Sequence, residues 1–211
     1  MAGKADTRLR RLPEQGSKDF DLACAIIDDA RICHVGFVLE DQPYVTPMAH
    51  ARDGKNLLLH GSVASRLMKN LAAGLPCCVT ITHLDVLVLA RSAFHSSMNY
   101  RSVMIFGAAT AVTDPEQKVR GLNALTEHLL PGRLAELRAS TRKELNATML
   151  LRLPIERFSV KTRNGPPDDP KNETQVPIWA GVVPLSLRAG KPSAAPDMPK
   201  GIAQPRYLKS L

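Results

Sequence analysis

The sequence has few aromatic side chains, and this argues against a protein that binds nucleic acids. Aromatic residues make up 4% of the 211 residues, so platforms on which nucleic-acid bases stack are scarce. Lys and Arg (28) exceed Asp and Glu (20), giving a net charge of +8, but these cations are scattered along the chain. A basic balance also suits small phosphorylated or carboxylated ligands. We therefore expect no nucleic-acid partner.

Cysteine pairs and long apolar runs are also lacking. Cys24, Cys33, Cys77 and Cys78 form no C-x-x-C pair, and no histidine pair offers zinc-like spacing to them, so no metal site is predicted. No apolar run is long enough to span a bilayer, and the first residues lack the apolar core of a secretion signal. We expect a cytoplasmic protein with no membrane contact.

The order of apolar and polar segments predicts one domain with two tails. Residues 1–18 are polar and basic and form an expected flexible arm, 19–188 form the domain, and 189–211 form an extended tail. Six or more strand-like runs alternate with few, short helices, including a helix from about Ser62 to Ala73 and another over about 133–145. This pattern favours a mainly β (α+β) fold, a β-barrel with attached helices, over a doubly wound parallel sheet.

The segment from His60 to Lys69 ends a strand and opens a helix with side chains that suit a phosphate. Ser65 and Arg66 stand at the helix start, and Lys69 follows one turn later. Backbone N–H groups at such a position, with a hydroxyl and a guanidinium, favour an anion. The alternative is an ordinary strand-to-helix turn capped by Ser62 or Ser65.

Three segments together resemble the pyridoxamine 5′-phosphate oxidase-like superfamily of FMN-binding split barrels, in particular its nitroimidazole-resistance-protein-like branch. They are Tyr44–His50 with Leu57–Lys69, then Met98–Ala109, then Ile178–Leu185. The resemblance implies a six-stranded antiparallel split β-barrel with flanking helices, and a homodimer with a flavin at the subunit interface. FMN is the implied cofactor, with FAD as the other flavin that the site admits.

The resemblance also assigns candidate cofactor-binding residues. Ser65 and Arg66 fall at the FMN phosphate, and Lys69 is the candidate second cation because Leu67 stands where the oxidases have lysine. The resemblance places Thr46, Pro47, Met48 and Ala49 along the isoalloxazine ring, and His60 and Gly61 between the ring and the phosphate. Tyr100, Arg101 and Ser102 would reach the pyrimidine edge or the ribityl chain. Trp179 would come from the partner subunit.

Simpler interpretations of three of these positions stay open at this point. Trp179 is equally typical of a tryptophan in the core or at an interface. Residues 99–101 are equally typical of an ordinary polar turn. Arg101, if not at the flavin, would pair with an acidic residue.

The implied function is an FMN-dependent oxidoreductase acting by hydride transfer on a small organic substrate, with NAD(P)H or another small electron donor. It is not a true pyridoxamine phosphate oxidase, because the arginine–histidine substrate signature of those enzymes has no counterpart after Trp179. The alternatives are a flavin-storing protein without turnover, a haem-binding relative of the same fold, and a basic nucleic-acid-associated protein without a cofactor. No catalytic residue stands out.

Overall fold

The computed structural model describes residue 7 and residues 11–210, so residues 1–6 and 8–10 of the expected N-terminal arm lie outside the described residues. Ten strands and four α-helices are present in the described chain. In order they are β1 Gly16–Ser17, α1 Phe20–Asp29, β2 Ile32–Leu39, β3 Gln42–Asp53, β4 Asn56–Ser62, α2 Arg66–Ala72, β5 Pro76–Leu89, β6 Ser97–Ala108, β7 Thr110–Ala111, α3 Pro115–Leu129, α4 Arg142–Ala147, β8 Thr148–Pro154, β9 Phe158–Arg163 and β10 Gly181–Pro184.

The strands form one antiparallel sheet in the order β1-β9-β6-β5-β2-β3-β4-β8-β7, and β10 pairs with the end of β5. Across the described residues this path of paired strands does not close on itself, which confirms the split-barrel, mainly β fold class. The strand count is higher than the expected six, because short edge strands add to the longer ones.

Local sequence signals fix the turns between these strands. β3 and β4 are joined by Gly54 and Lys55, and Gly54 has a φ of +57°, as expected of a tight hairpin at an Asp-Gly step. The turn between β2 and β3 is formed by Glu40 and Asp41, which both have positive φ. The sequence predicts separate strands over 77–83 and 84–92, but β5 runs from Pro76 to Leu89 as one long strand with a register shift between Leu84 and Val86.

The helix expected over 133–145 is wrong. The structure has a 3₁₀ turn at Leu134–Glu136 and then the short helix α4. Thr141 caps α4, and its hydroxyl and the Glu144 side chain form a capping box. Because the Thr141 side chain satisfies backbone N–H groups only when the chain enters a helix there, it starts a new helix rather than extending an earlier one.

The main core fills the inside of the curved sheet, and helices α1 and α2 pack against it. Ile26 and Ile27 of α1 and Met68 and Leu71 of α2 are almost fully buried there. Helix α3 covers the other face of β4 and β8, where a second apolar cluster forms around Leu58, Leu125 and Leu150. The sheet surface made by β2, β3, β5 and β6 away from the main core, which we call the outer face, is left uncovered by α1 and α2.

Candidate functional site

The strand-to-helix element after β4 is built around two serines. Ser65 is the N-cap of α2, and its hydroxyl oxygen accepts from the backbone N–H of Met68 at 3.4 Å. The Ser62 hydroxyl oxygen accepts from the backbone N–H of Ala64 at 3.1 Å. The capping interpretation is therefore confirmed, and α2 begins at Arg66 rather than at Ser62. A hydroxyl that accepts from the backbone still has its own O–H to donate, so capping leaves both serines able to bind an oxyanion.

Arg66 is positioned by an aromatic ring that the sequence interpretation did not single out. Its guanidinium carbon lies 4.6 Å from the centroid of the Tyr44 ring, on β3. Lys69 is exposed one helical turn later and lies on the same side of α2. The structure thus brings Ser65, Arg66 and Lys69 together and adds Tyr44. Tyr44 could have been found from the sequence, because it is an aromatic residue two positions before Thr46 and therefore lies on the same face of the strand.

His60 and Gly61 lie at the end of β4 beside this element. Burial lowers the pKa of the half-buried His60, and its Nδ1 atom is buried without a hydrogen-bond partner among the described residues. A Cβ atom at Gly61 would lie 2.8 Å from Cγ of Met68. Gly61 is therefore needed for the close packing of α2 on β4, a structural role that is independent of any ligand.

The candidate residues of β3 divide between two faces of the sheet. Met48 packs against the main core, and Thr46 lies on the same side of the strand, opposite Val35 of β2. Pro47 and Ala49 alternate with them and face outward. The four residues can therefore border one ligand together through their backbone, but not through all four side chains.

The side chains of residues 100–102 also lie on different faces of the sheet. Arg101 pairs across β5 with His83 and shares the inner side of the sheet with the buried Val103, so Tyr100 and Ser102 point to the outer face. Arg101 forms two hydrogen bonds with Asp85, both 2.9 Å. It also contacts Asp29 at 3.0 Å. The hydrogen bonds to Asp85 are the main reason that the pKa of Arg101 is raised.

Trp179 stands on an exposed apolar arm next to β10. It is 67% exposed, and its ring packs over Gly181, where a Cβ atom would lie 2.8 Å from the ring. Ile178, Val182 and Val183 beside it are also between 41% and 50% exposed. A contiguous apolar surface of this kind is typical of a protein interface.

A groove of about 630 Å³ lies where β2, β3, β5 and β6 end, and its lining residues come from both faces of the sheet. We call it the outer groove. It is mostly apolar, and it is lined by Gly36, Phe37, Val38, Pro43, Tyr44, Val45, Leu75, Pro76, Cys77, Cys78, Phe106, Gly107, Ala108 and Arg157. Tyr44 borders the groove from the core side of the sheet, and its ring also supports Arg66.

Three histidines from separate elements bind the carboxyl end of α1. The Nε2 atoms of His50, His83 and His128 lie 3.1, 3.0 and 2.6 Å from the carbonyl oxygens of Ile27, Ile26 and Ala30, respectively. These interactions satisfy carbonyls that a helix end leaves without partners. Burial lowers the pKa of His50 to about 4.

All four cysteines are free thiols, with Cys77 buried and Cys78 half-buried. Among the described residues there is no cluster of metal-ligating side chains, and none of the helices there is both long and apolar enough to cross a membrane.

Comparison with known proteins gives a family match and close structural relatives. The family model of pyridoxamine 5′-phosphate oxidase matches residues 19–162. The FAD and haem binding protein from Mycobacterium smegmatis is 39% identical, with a TM-score of 0.88 over 93% of this chain and 96% of that chain. The flavocytochrome Anf3 from Azotobacter vinelandii is 34% identical, with a TM-score of 0.90 over 97% of this chain and 95% of that chain.

A putative 5-nitroimidazole antibiotic resistance protein from Bacteroides thetaiotaomicron shares the fold at 22% identity, with a TM-score of 0.60 over 70% of this chain and 86% of that chain. No functionally curated protein matches the sequence. The family match covers most of the chain and agrees with the motifs at residues 44–69 and 98–109. The chain belongs to the pyridoxamine 5′-phosphate oxidase family.

Proposed function

We propose that this protein binds a flavin and acts as an oxidoreductase that transfers hydride to or from a small organic substrate. The observation that carries the proposal is its similarity over nearly its whole length to an FAD and haem binding protein and to a flavocytochrome. The residue-level support is the element formed by Ser62, Ser65, Arg66 and Lys69 at the start of α2.

The donor set at this element fits a phosphate group. Two hydroxyls can donate, and a guanidinium and an ammonium group supply positive charge, which together match a phosphate dianion. The Tyr44 ring limits the positions open to the Arg66 guanidinium, so less conformational freedom is lost on binding. This element holds the phosphate that FMN and the riboflavin half of FAD have in common.

The flavin, once bound, supplies the redox chemistry by accepting or donating a hydride. The chain supplies position and electrostatics. The backbone of residues 46–49 borders the ring, and His60 lies between ring and phosphate with a lowered pKa, so it is neutral at physiological pH. A neutral imidazole can donate or accept one hydrogen bond without adding charge next to the ring.

The exposed arm around Trp179 supports a homodimer in which the arm of one protomer reaches the flavin site of the other. A side chain of this size, 67% exposed, leaves apolar surface that a second protomer would cover. We propose NAD(P)H or another small electron donor as the second ligand.

The experiment that tests flavin binding is the absorbance spectrum of the purified full-length protein, with mass identification of the cofactor released from it. We expect a flavin spectrum and about one flavin per chain. Full-length protein that never takes up FMN or FAD contradicts the proposal and favours a cofactor-free protein. Oxidation of NADH or NADPH with a panel of acceptors then separates an enzyme from a flavin-storing protein.

A second candidate function is haem binding in addition to the flavin, and the two most identical relatives described above favour it. His50, His83 and His128 already use Nε2 on the carbonyls of α1. His34 is exposed on the outer face, two residues from Gly36 of the outer groove, and is the proposed ligand. Reconstitution with haem should give a Soret band that His34→Ala removes and that His95→Ala leaves in place.

A further inference from the structure

We propose that Asp169 is a positioning residue for the apolar arm, because its ion pair with Arg91 fixes residues 164–180 on the β5–β6 hairpin and so sets the place of Trp179. We call residues 164–180 the connecting segment, since they join β9 to β10. This inference rests on the homodimer of the proposed function and deepens it, since it names the residues that hold the arm ready for the second protomer.

The connecting segment has little regular structure of its own. All of its residues lie in the described chain, and the only regular element among them is the 3₁₀ turn at Lys171–Glu173. In compact domains, loops of this length without secondary structure are uncommon, and those that occur are usually functional or disordered. Contacts with the rest of the fold must therefore hold the segment in one place.

Asp169 supplies one of these contacts as a buried ion pair. Its side chain is 4% exposed, although it lies in an irregular segment. One carboxylate oxygen accepts from the backbone N–H of Arg91 at 2.9 Å, and the other accepts from Nη1 of Arg91 at 2.8 Å. A buried carboxylate costs free energy unless it is paired and hydrogen-bonded. The segment can therefore bury Asp169 only where Arg91 meets it, which favours one arrangement.

A second contact fixes the start of the segment on the same hairpin. Asn99 of β6 is 4% exposed, and its Nδ2 donates to the carbonyl oxygen of Gly165 at 2.9 Å. Its Oδ1 accepts from Nη1 of Arg163 at 2.7 Å. The segment is thus held at two points before it reaches the apolar arm.

Consecutive turns connect Asp169 to Trp179. Three backbone N–H groups donate to carbonyl oxygens two or three residues earlier, from Glu173 to Pro170 at 2.9 Å, from Val176 to Glu173 at 3.0 Å and from Ile178 to Val176 at 2.8 Å. Each turn restricts the backbone rotations between its ends. The position of Asp169 is therefore passed along the chain to the residue before Trp179.

The pairing of β10 brings the ion pair and the tryptophan to the same end of the hairpin. β10 is antiparallel to β5, with Gly181 opposite Leu89. Trp179 comes two residues before Gly181, and Arg91 comes two residues after Leu89, so both lie beyond the same end of this strand pair. An arm that is already held in place loses less conformational freedom when a partner covers it.

The test uses the fluorescence of Trp179, which is the only tryptophan in the chain. Its anisotropy decay is measured in full-length protein freed of flavin, at dilutions at which sedimentation shows monomers. The variants are Asp169→Asn and Arg91→Gln, singly and together. Asp28→Asn, which breaks the two-point ion pair of α1 with Arg52, is the matched control. Thermal unfolding followed by circular dichroism confirms that each variant is folded.

In the unmodified protein and in Asp28→Asn, Trp179 should rotate with the whole chain. Asp169→Asn and Arg91→Gln should each add a fast local rotation and raise the dissociation constant of the dimer about tenfold, because more of the chain must then be ordered on assembly. The double variant should be no weaker than either single variant, since both remove the same ion pair.

Three results would overturn the positioning role and leave the homodimer intact: fast rotation of Trp179 in the unmodified protein, slow rotation in both single variants, or a dissociation constant that neither variant changes. If Asp169→Asn does not fold, the unmodified protein and Arg91→Gln decide the question. Unmodified protein that stays monomeric at micromolar concentration overturns the proposed homodimer instead and, with it, the role of the ion pair in assembly.

Discussion

Arg101 and Asp85 form a two-point ion pair, with Nε and Nη2 of the guanidinium each 2.9 Å from one carboxylate oxygen. A second carboxylate, from Asp29 at the end of α1, contacts the same guanidinium at 3.0 Å. The pair joins β5 and β6 to the helix that packs inside the sheet. A residue predicted from sequence to face the flavin thus also connects three elements of the fold.

Replacing Arg101 distinguishes these two roles. Asp85 and Asp29 bind the guanidinium, so we expect it not to reach the flavin. Arg101→Gln should therefore shift the flavin reduction potential by less than about 10 mV. The pair is partly exposed, so the loss of stability should be about 1 kcal/mol or less. A shift of some tens of millivolts would instead place the guanidinium at the flavin. Asp85→Asn is the partner control, and a double-mutant cycle in urea gives the pair's coupling energy.

Arg66 should matter for flavin affinity and little for stability. Removing one charge-assisted phosphate contact costs about 2 kcal/mol, or about 30-fold in the dissociation constant. We expect Arg66→Ala to show this loss in a fluorescence titration, and Arg120→Ala, an exposed arginine on α3, to show none. Unchanged affinity in Arg66→Ala would remove this residue from the site.

His50 should make the protein less stable in mild acid. Burial lowers its pKa from 6.5 to about 4 in the folded state, so the unfolded chain binds the proton more tightly. The stabilisation is complete above pH 6.5 and is lost as the pH falls toward 4, since protons then favour the unfolded state. At about pH 5 the loss attributable to His50 is about 2 kcal/mol.

Urea unfolding at about pH 7.5 and about pH 5 measures this effect. The difference between the two free energies should shrink by about 2 kcal/mol in His50→Asn and stay unchanged in His34→Asn, whose ring is exposed. If both variants keep the full difference, the acid sensitivity arises from another group.

Gly61 should be required for the packing of α2 and not only for ligand approach. A methyl group at position 61 would lie 2.8 Å from Cγ of Met68, a side chain that is 1% exposed. We expect Gly61→Ala to lower the free energy of unfolding by about 1–3 kcal/mol, as overpacked cores do. Gly190→Ala should change it little, and adding Met68→Ala to Gly61→Ala should relieve the clash.

The apolar arm should hold two protomers together. Sedimentation at micromolar concentration should give a mass near twice 23.0 kDa. Trp179→Ser should raise the dissociation constant at least about tenfold, because large aromatic side chains dominate such interfaces. Ile202→Ser, an equally exposed apolar residue of the tail, is the control and should leave the mass unchanged. A monomer that still binds flavin would contradict the shared site.

The sequence by itself determined the features that depend on near neighbours along the chain. The Asp53–Gly54 step set the hairpin between β3 and β4, Ser65 set the start of α2, and Asp114 with Pro115 set the start of α3. These signals work because caps and tight turns are made by side chains and backbone groups within about four residues of each other. The motif order along the chain was also sufficient to predict the family.

The tertiary structure alone decided which distant residues meet. His50, His83 and His128 are far apart in sequence, and they converge because β3, β5 and α3 all pack against the end of α1. The outer groove likewise depends on the pairing of four strands, which no local signal contains. The strand period of two separates Arg101 from Tyr100, but which of the two faces the core depends on strand register and on where α1 packs, and both are long-range choices.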